Sequence, residues 1–290
     1  MKQYLLKYVP VFLLIACFAG CAGLNPETER RFGDTVISGE ETWSGTVRID
    51  GVVTVKKDGK LTIAPGTQVL FERRDVDSDG VGDGELLVEG ALIARGTAVA
   101  PILFSSGEKN PQPGDWKYLY LDFARQGEVE YVISEYAFSG IQVHFCKAQI
   151  ENSVFRYNVD GVRFSTVNIV VRGNAIYHNK HGLRYEERRS EALVTGNDIR
   201  ENEIGIFVVT RGEDRAKITG NNILANSIYN VKLGITQHSD VTLPGNWWGL
   251  TQAEDIDATF FDQKQDEHLG RIRAPAPLAE PVKVAVAVWK

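Results

Sequence analysis

One short phrase recurs through the middle of the chain and limits what it can fold into. The clearest copies are Val171-Arg172-Gly173-Asn174-Ala175-Ile176, Val194-Thr195-Gly196-Asn197-Asp198-Ile199 and Ile218-Thr219-Gly220-Asn221-Asn222-Ile223, and the series breaks off at Gly245-Asn246-Trp247-Trp248. Between copies a Gly opens an alternating strand: Gly140-Ile141-Gln142-Val143, Gly161-Val162-Arg163-Phe164, Gly182-Leu183-Arg184-Tyr185 and Gly205-Ile206-Phe207-Val208. The Gly positions step by 21, 21 and 23 residues, and the Gly-Asn positions by 23, 24 and 25. A period in this range is the signature of a solenoid, in which each repeat buries its apolar face only by stacking on its neighbours. With 28 Gly, one Met and many β-branched and aromatic residues, the repeats read as strands and turns.

Alternation divides each repeat into inward and outward residues. The expected inward set is Ile141, Val143 and Phe145, then Val162 and Phe164, Leu183 and Tyr185, Ile206 and Val208. Parallel stacking places equivalent residues about 4.8 Å apart. Two Asn ladders are therefore expected, one of Asn174, Asn197, Asn221 and Asn246, the other of Asn158, Asn179, Asn202 and Asn226, with Asn taking the left-handed corners. The outward column carries Gln142 and His144, then Arg163 and Ser165, Arg184 and Glu186, Phe207 and Val209, and Lys232. Arg163 beside Arg184, with His144 near, forms a small basic patch suited to an acidic sugar or lipid head group, and Phe207 offers a stacking surface. The plainer reading is a solvated face with Arg184 paired to Glu186 or Glu187.

Earlier strands are split by Asp58-Gly59, Pro65-Gly66 and Glu89-Gly90 turns. Two near-copies stand out, Gly59-Lys60-Leu61-Thr62-Ile63-Ala64-Pro65-Gly66-Thr67 and Gly90-Ala91-Leu92-Ile93-Ala94-Arg95-Gly96-Thr97, followed by Pro101-Ile102-Leu103-Phe104-Ser105-Ser106 and Gly114-Asp115-Trp116. This series, with the closing Gly245-Asn246-Trp247-Trp248-Gly249, resembles the right-handed parallel β-helix repeat proteins of the pectate-lyase-like superfamily over roughly residues 40–280. The resemblance implies an all-β right-handed parallel β-helix, a solenoid of about 20–25 residues per coil, closed by a C-terminal aromatic cap. It says little about function, because that fold hosts lyases, hydrolases, epimerases, tailspikes and non-catalytic surface proteins. The Asp-Asp, Gly-His-Gly and Arg-Ile-Lys motifs of polygalacturonases and the Arg-x-Pro-x-x-Arg of pectate lyases are missing; Lys180-His181-Gly182 is a faint echo that fits a corner equally well.

An acidic loop interrupts the opening strands. Asp75, Asp77, Asp79 and Asp83 stand at positions 1, 3, 5 and 9 of a calcium-loop pattern, with Gly80 at 6 and the Val81 carbonyl at 7. The pattern resembles the calcium loops of dockerins and thrombospondin type-3 repeats, although Leu86 replaces the usual bidentate Glu. A structural Ca²⁺ is expected; the alternative is a solvated hairpin.

The N-terminus reads as an address. Lys2 and Lys7, an apolar Tyr8–Gly20 run and small residues before Cys21 form the parts of a secretory signal. Ala19-Gly20-Cys21 resembles the lipobox of bacterial lipoproteins, which implies a covalent lipid on Cys21; Leu14-Ile15-Ala16-Cys17 is a competing match. Ala22 after the Cys resembles an outer-membrane sorting signal. The expected organisation is a signal peptide at 1–20, a tether at 21–34, the β-helix with its cap at 35–273, and a Pro/Ala segment with a terminal strand at 274–290. Cys146 is then alone, so no intramolecular disulfide forms and the thiol is expected to be inert. Without Lys2 and Lys7, 30 basic residues face 38 acidic ones, a net charge of −8, which argues against nucleic acid as a partner. The sequence thus points to a lipid-anchored cell-envelope β-helix, non-catalytic, binding a polysaccharide or serving as a scaffold. The alternative is a polysaccharide lyase or glycoside hydrolase acting on an acidic glycan. A third reading is an envelope assembly component that contacts another protein through its terminal strand.

Overall fold

The computed structural model describes residues 29–187, 191–211, 215–284 and 286. Each turn of the chain contributes one strand to each of three all-parallel sheets, so that neighbours within a sheet are three strands apart in sequence. One coil comprises Lys147–Glu151, Val154–Arg156 and Asp160–Ser165; the next comprises Asn168–Arg172, Ala175–Tyr177 and His181–Glu187. We call the sheet holding Asp160–Ser165 the broad sheet, that holding Val154–Arg156 the narrow sheet, and the remaining one the third sheet. The broad sheet has ten strands, the narrow sheet nine and the third eight, among the described residues.

The register puts like on like. Ile141, Val162, Leu183, Ile206 and Val231 are successive partners across the broad sheet, and all are fully buried. Phe164 stacks on Tyr185 at 5.2 Å, and Phe71 on Trp116 at 4.1 Å with rings 2° apart. Each such side chain contributes about 1.5–3 kcal/mol by leaving water, which a coil cannot gain without its neighbours.

The corners carry the polar half of the repeat. Asn174, Asn197, Asn221 and Asn246 form one buried ladder, each amide Nδ2 donating to the next Oδ1 at 2.9–3.0 Å. Asn158, Asn179, Asn202 and Asn226 form the second, at 3.0–3.1 Å. Both ladders match the expectation, but the left-handed residue is not the Asn. It is the residue before it: Gly173, Gly196, Gly220 and Gly245 in one ladder (φ 62–68°), and Tyr157, His178, Glu201 and Ala225 in the other (φ 52–57°). The Asn side chain is spent inward on backbone carbonyls, and satisfying those buried groups holds a strained non-glycine corner in place.

Three boundaries differ from expectation. Arg30–Phe32 lies within the expected tether yet forms the first strand of the narrow sheet, paired with Thr46–Ile49, because Phe32 stacks on Trp43 at 5.2 Å and Arg30 pairs with Glu41. Phe145, expected inside, is 48% exposed: it follows the end of its strand at φ 52°, and that left-handed turn breaks the alternation. Val282–Val284 and Val286 make no strand. They lie against the chain's own narrow sheet, where Asn222 brackets the Val282 backbone with two hydrogen bonds (2.8 and 2.9 Å) and Val284 and Val286 cover Ile133, Val154, Ala175 and Tyr177. The described part of the tail is therefore engaged by its own chain; residues 285 and 287–290 lie outside the described residues. At the same end, Trp248 is buried against Phe260, and Ala253–Ala258 forms a short helix that buries Ile256. These side chains cover the last coil, as the expected cap requires.

Candidate functional site

The four glycines that open the repeats shape the outer face of the broad sheet. A Cβ at Gly140, Gly161, Gly182 or Gly205 would stand 2.6–2.8 Å from a backbone oxygen of the following coil. Only Gly permits that approach, and it locally breaks the alternation. Side chains three apart around the Gly then share the outer face. Asp160, on one side of Gly161, receives His181 Nδ1 on Oδ1 at 2.7 Å and Arg184 Nη1 on Oδ2 at 3.2 Å; Arg163 Nη1 lies 3.9 Å from Oδ2. Asp160 is fully buried beneath these three groups. His181 stacks on Phe207 at 5.0 Å, and the Arg184 guanidinium lies 5.7 Å from the same ring.

This cluster sits in a longer column. Tyr120, Gln142, Arg163, Arg184, Phe207, Lys232 and Phe261 are successive partners across the sheet. Lys232 Nζ bridges two aromatic faces, 6.0 Å from Phe207 and 5.0 Å from Phe261, and makes no ion pair among the described residues. Toward the N-terminal end, the Tyr120 hydroxyl meets His144 Nδ1 at 3.1 Å, and Tyr118 packs edge-on against both Tyr120 and Phe138. Aromatic stacks border both edges of the face. Phe123 and Phe145 lie on one side (4.6 Å); Tyr136, Tyr157 and His178 lie on the other (5.5 and 5.4 Å).

His144, Arg163, Arg184 and Phe207, the four residues singled out in the sequence, all lie on this face. Arg163, Arg184 and Phe207 share one cluster, whereas His144 belongs with Tyr120. Arg184 pairs with Asp160, which simple alternation hides because it places Asp160 on the face opposite Arg163. A bulge between Tyr185 and Glu186 sets Thr210, not Val209, opposite Glu186. The signal that could have found Asp160 and His181 is the residue before each repeat Gly, which changes from Ser139 to Asp160, His181 and Ile204 while the Gly stays fixed.

Burial tunes the acids and phenols here. Desolvation pushes Glu85, on the same face, up to about 7; the Asp122 charge adds to this and Lys117 opposes it. Burial, reinforced by Asp122, also pushes the Tyr120 hydroxyl up to about 12. For Glu85 the folded-state value stands above the ordinary 4.5, so the folded protein binds this proton more tightly than the unfolded chain. Stability is therefore fully retained below about pH 4.5 and declines as pH rises to about 7. Glu85→Gln is expected to remove that decline and to raise unfolding stability at pH 8 by roughly 1–3 kcal/mol relative to the parent. Parallel urea titrations of both proteins at pH 5 and pH 8 would show otherwise if the parent lost nothing between them. Cys146 is buried and its thiol is raised to about 11 by that burial, in keeping with an inert packing residue.

In the acidic loop, carboxylate oxygens of Asp75, Asp77 and Asp83 lie within 4.8 Å of one another, and Asp75 Oδ1 is buried with no hydrogen-bond partner. Asp79 stands apart from this group: its carboxylate receives the Val81 amide at 2.8 Å. Ser78 (φ 60°) and Gly80 (φ 89°) turn the chain, and the Gly82 amide ties the loop to Gly114. Three converging acids with an orphaned oxygen suit a hard cation. Cys21 and Cys17 lie outside the described residues.

The family description "right handed beta helix region" matches residues 119–247, the span over which the Asn ladders and the broad face are most regular. This chain folds as a right-handed parallel β-helix. No curated protein and no solved structure matches the chain. The β-helix continues on both sides of the matched span, from Arg30–Phe32 to Phe260–Phe261. Its broad face can stack flat rings, hold an anion at Arg163 and Arg184, and bond hydroxyls along one line.

Proposed function

We propose that this β-helix is a non-catalytic, lipid-anchored cell-envelope protein that binds an anionic polysaccharide along its broad face. The observation that carries the reading is the single column from Tyr120 to Phe261, in which aromatic rings flank two arginines and a lysine that makes no ion pair among the described residues. Coil steps of about 4.8 Å suit an extended polymer better than a compact ligand. Glu85 and Asp160 are three coil steps apart through Tyr118 and Ser139, about 14 Å at the Cα atoms against roughly 5–10 Å for paired hydrolytic carboxyls, so these two do not form such a pair. Arg163→Gln with Arg184→Gln is expected to weaken binding of a hyaluronan oligosaccharide at least about tenfold, as the loss of two charge-assisted contacts requires. Unchanged affinity in calorimetry would remove this face from the account. Anchoring rests on Cys21: its replacement by Ser should abolish metabolic lipid labelling, whereas loss only in Cys17→Ser would move the anchor.

A structural calcium ion in the Asp75, Asp77 and Asp83 loop belongs to the same proposal. It is supported by the orphaned Asp75 oxygen and would hold the loop against Gly114. Calcium at about a hundredfold excess over Kd is expected to raise Tm by about 5 °C. Asp77→Asn with Asp83→Asn should erase the rise; an equal rise in that variant would place the ion elsewhere.

A further inference from the structure

The broad face is not uniformly basic; its unpaired charges are sorted along the axis. At the N-terminal end stand Glu85 and Asp122, neither with an ion pair among the described residues. Asp122 Oδ1 and, one coil on, Gln142 Oε1 are buried acceptors with no hydrogen-bond donor among the described residues, the neighbouring Tyr120 hydroxyl being engaged with His144 Nδ1, and Gln142 is only 5% exposed. Lys117, whose charge reaches Glu85, lies 3.9 Å from Asp83 and makes no ion pair with Glu85 or Asp122 among the described residues. At the other end, Asp160 is shared by Arg163, Arg184 and His181, so the cluster carries excess positive charge. Among the described residues, Arg184 Nε is a buried donor with no acceptor, and Lys232 follows with no ion pair. Buried polar atoms left without partners are costly, and here the missing partners are of opposite kinds at the two ends. Donors are wanted over Asp122 and Gln142, and acceptors over Arg163 and Arg184. Gln142 and Arg184 are two coil steps apart, or about 10 Å.

We propose that the broad face binds a zwitterionic glycan, with an amine-bearing sugar over Asp122 and Gln142 and an acidic sugar over Arg163 and Arg184. This rests on the glycan-binding reading above and narrows it from anionic to doubly charged polymers. A sugar ring spans about one coil step, so a chain lying along the axis can carry both charges in register. The aromatic borders at Phe123 with Phe145 and at Tyr136 with Tyr157 favour flat rings over a peptide, which would need an unpaired strand edge that this face does not offer.

Calorimetry on the full chain with three probes tests this: a partially de-N-acetylated hyaluronan oligosaccharide, its fully N-acetylated parent, and a chitosan oligosaccharide. The zwitterionic probe is expected to bind at least about tenfold tighter than the N-acetylated parent, as one added charge-assisted contact implies. Asp122→Asn should abolish that preference, and an unchanged urea-unfolding midpoint would show that the variant is folded. Equal or tighter binding of the N-acetylated parent, still lost in Arg184→Gln, overturns the zwitterion inference and leaves anionic binding standing. No binding of any probe overturns both. A peptide of alternating Lys and Glu that binds more tightly than the zwitterionic glycan would also overturn the proposal.

Discussion

Asn197→Ala is expected to destabilise the protein by about 3–5 kcal/mol, one of the two largest effects the structure implies. Asn197 is fully buried, and its amide Nδ2 donates to the Val171 carbonyl (2.9 Å), the Thr195 carbonyl (3.1 Å) and Asn221 Oδ1 (2.9 Å). Its Oδ1 accepts from the Asn174 backbone amide (3.0 Å) and from Asn174 Nδ2 (2.9 Å). Truncation strands partners on both sides in a place water does not reach, so the cost exceeds that of one hydrogen bond. The exposed Asn168, whose amide reaches only Glu191 at 3.2 Å, provides the contrast: Asn168→Ala should cost less than about 0.5 kcal/mol. Urea unfolding of both variants decides the matter, and equal losses would mean that the ladder is not what holds the corner.

Gly182→Ala is expected to be comparably severe, at about 2–4 kcal/mol, for a different reason. Its Cβ would press on the Gly205 carbonyl oxygen at 2.7 Å and on Asn202 Nδ2 at 2.8 Å, both fixed by neighbouring coils. Gly196→Ala also places a side chain on a left-handed residue (φ 67°), yet its nearest neighbour would be 3.7 Å away. The cost there reduces to about 1–2 kcal/mol of backbone strain. The ranking separates crowding from φ, and a larger loss at Gly196 would reverse it. Gly182→Ala also bears on the site: relieving the clash pushes apart the coils that bring His181 onto Asp160, so ligand binding should weaken together with stability.

The fold was legible because the repeat is written twice, once in apolar alternation and once in Asn, and parallel stacking turns both into ladders. Phe145 and the Asn corners show where that reading failed: the left-handed residue is the one before each Asn, Gly in every copy of one ladder but Tyr157, His178, Glu201 and Ala225 in the other, where the stacking of the coils and not the residue type sets it. The candidate face was half legible. Arg163, Arg184 and Phe207 obey alternation and were found in the sequence. Asp160 and His181 do not, because the close approach of the coils at each repeat Gly breaks the alternation and leaves residues three apart, such as Asp160 and Arg163, on one side, a three-dimensional effect that period-two counting cannot see. The tail misled for a related reason: alternating Val signals a strand, but whether it forms a ladder or lies over side chains depends on the surface it meets, here the narrow sheet around Asn222.

Hydroxyl-radical footprinting of the full chain with and without a saturating hyaluronan oligosaccharide tests most directly whether the broad face is the working surface. Protection is expected at Tyr118, Tyr120, Phe138 and Phe207, with no change at Tyr131 and Trp247, which lie off that face. Protection confined to Tyr131, Trp247 or the third sheet, with those four aromatics still fully oxidised, would contradict the account.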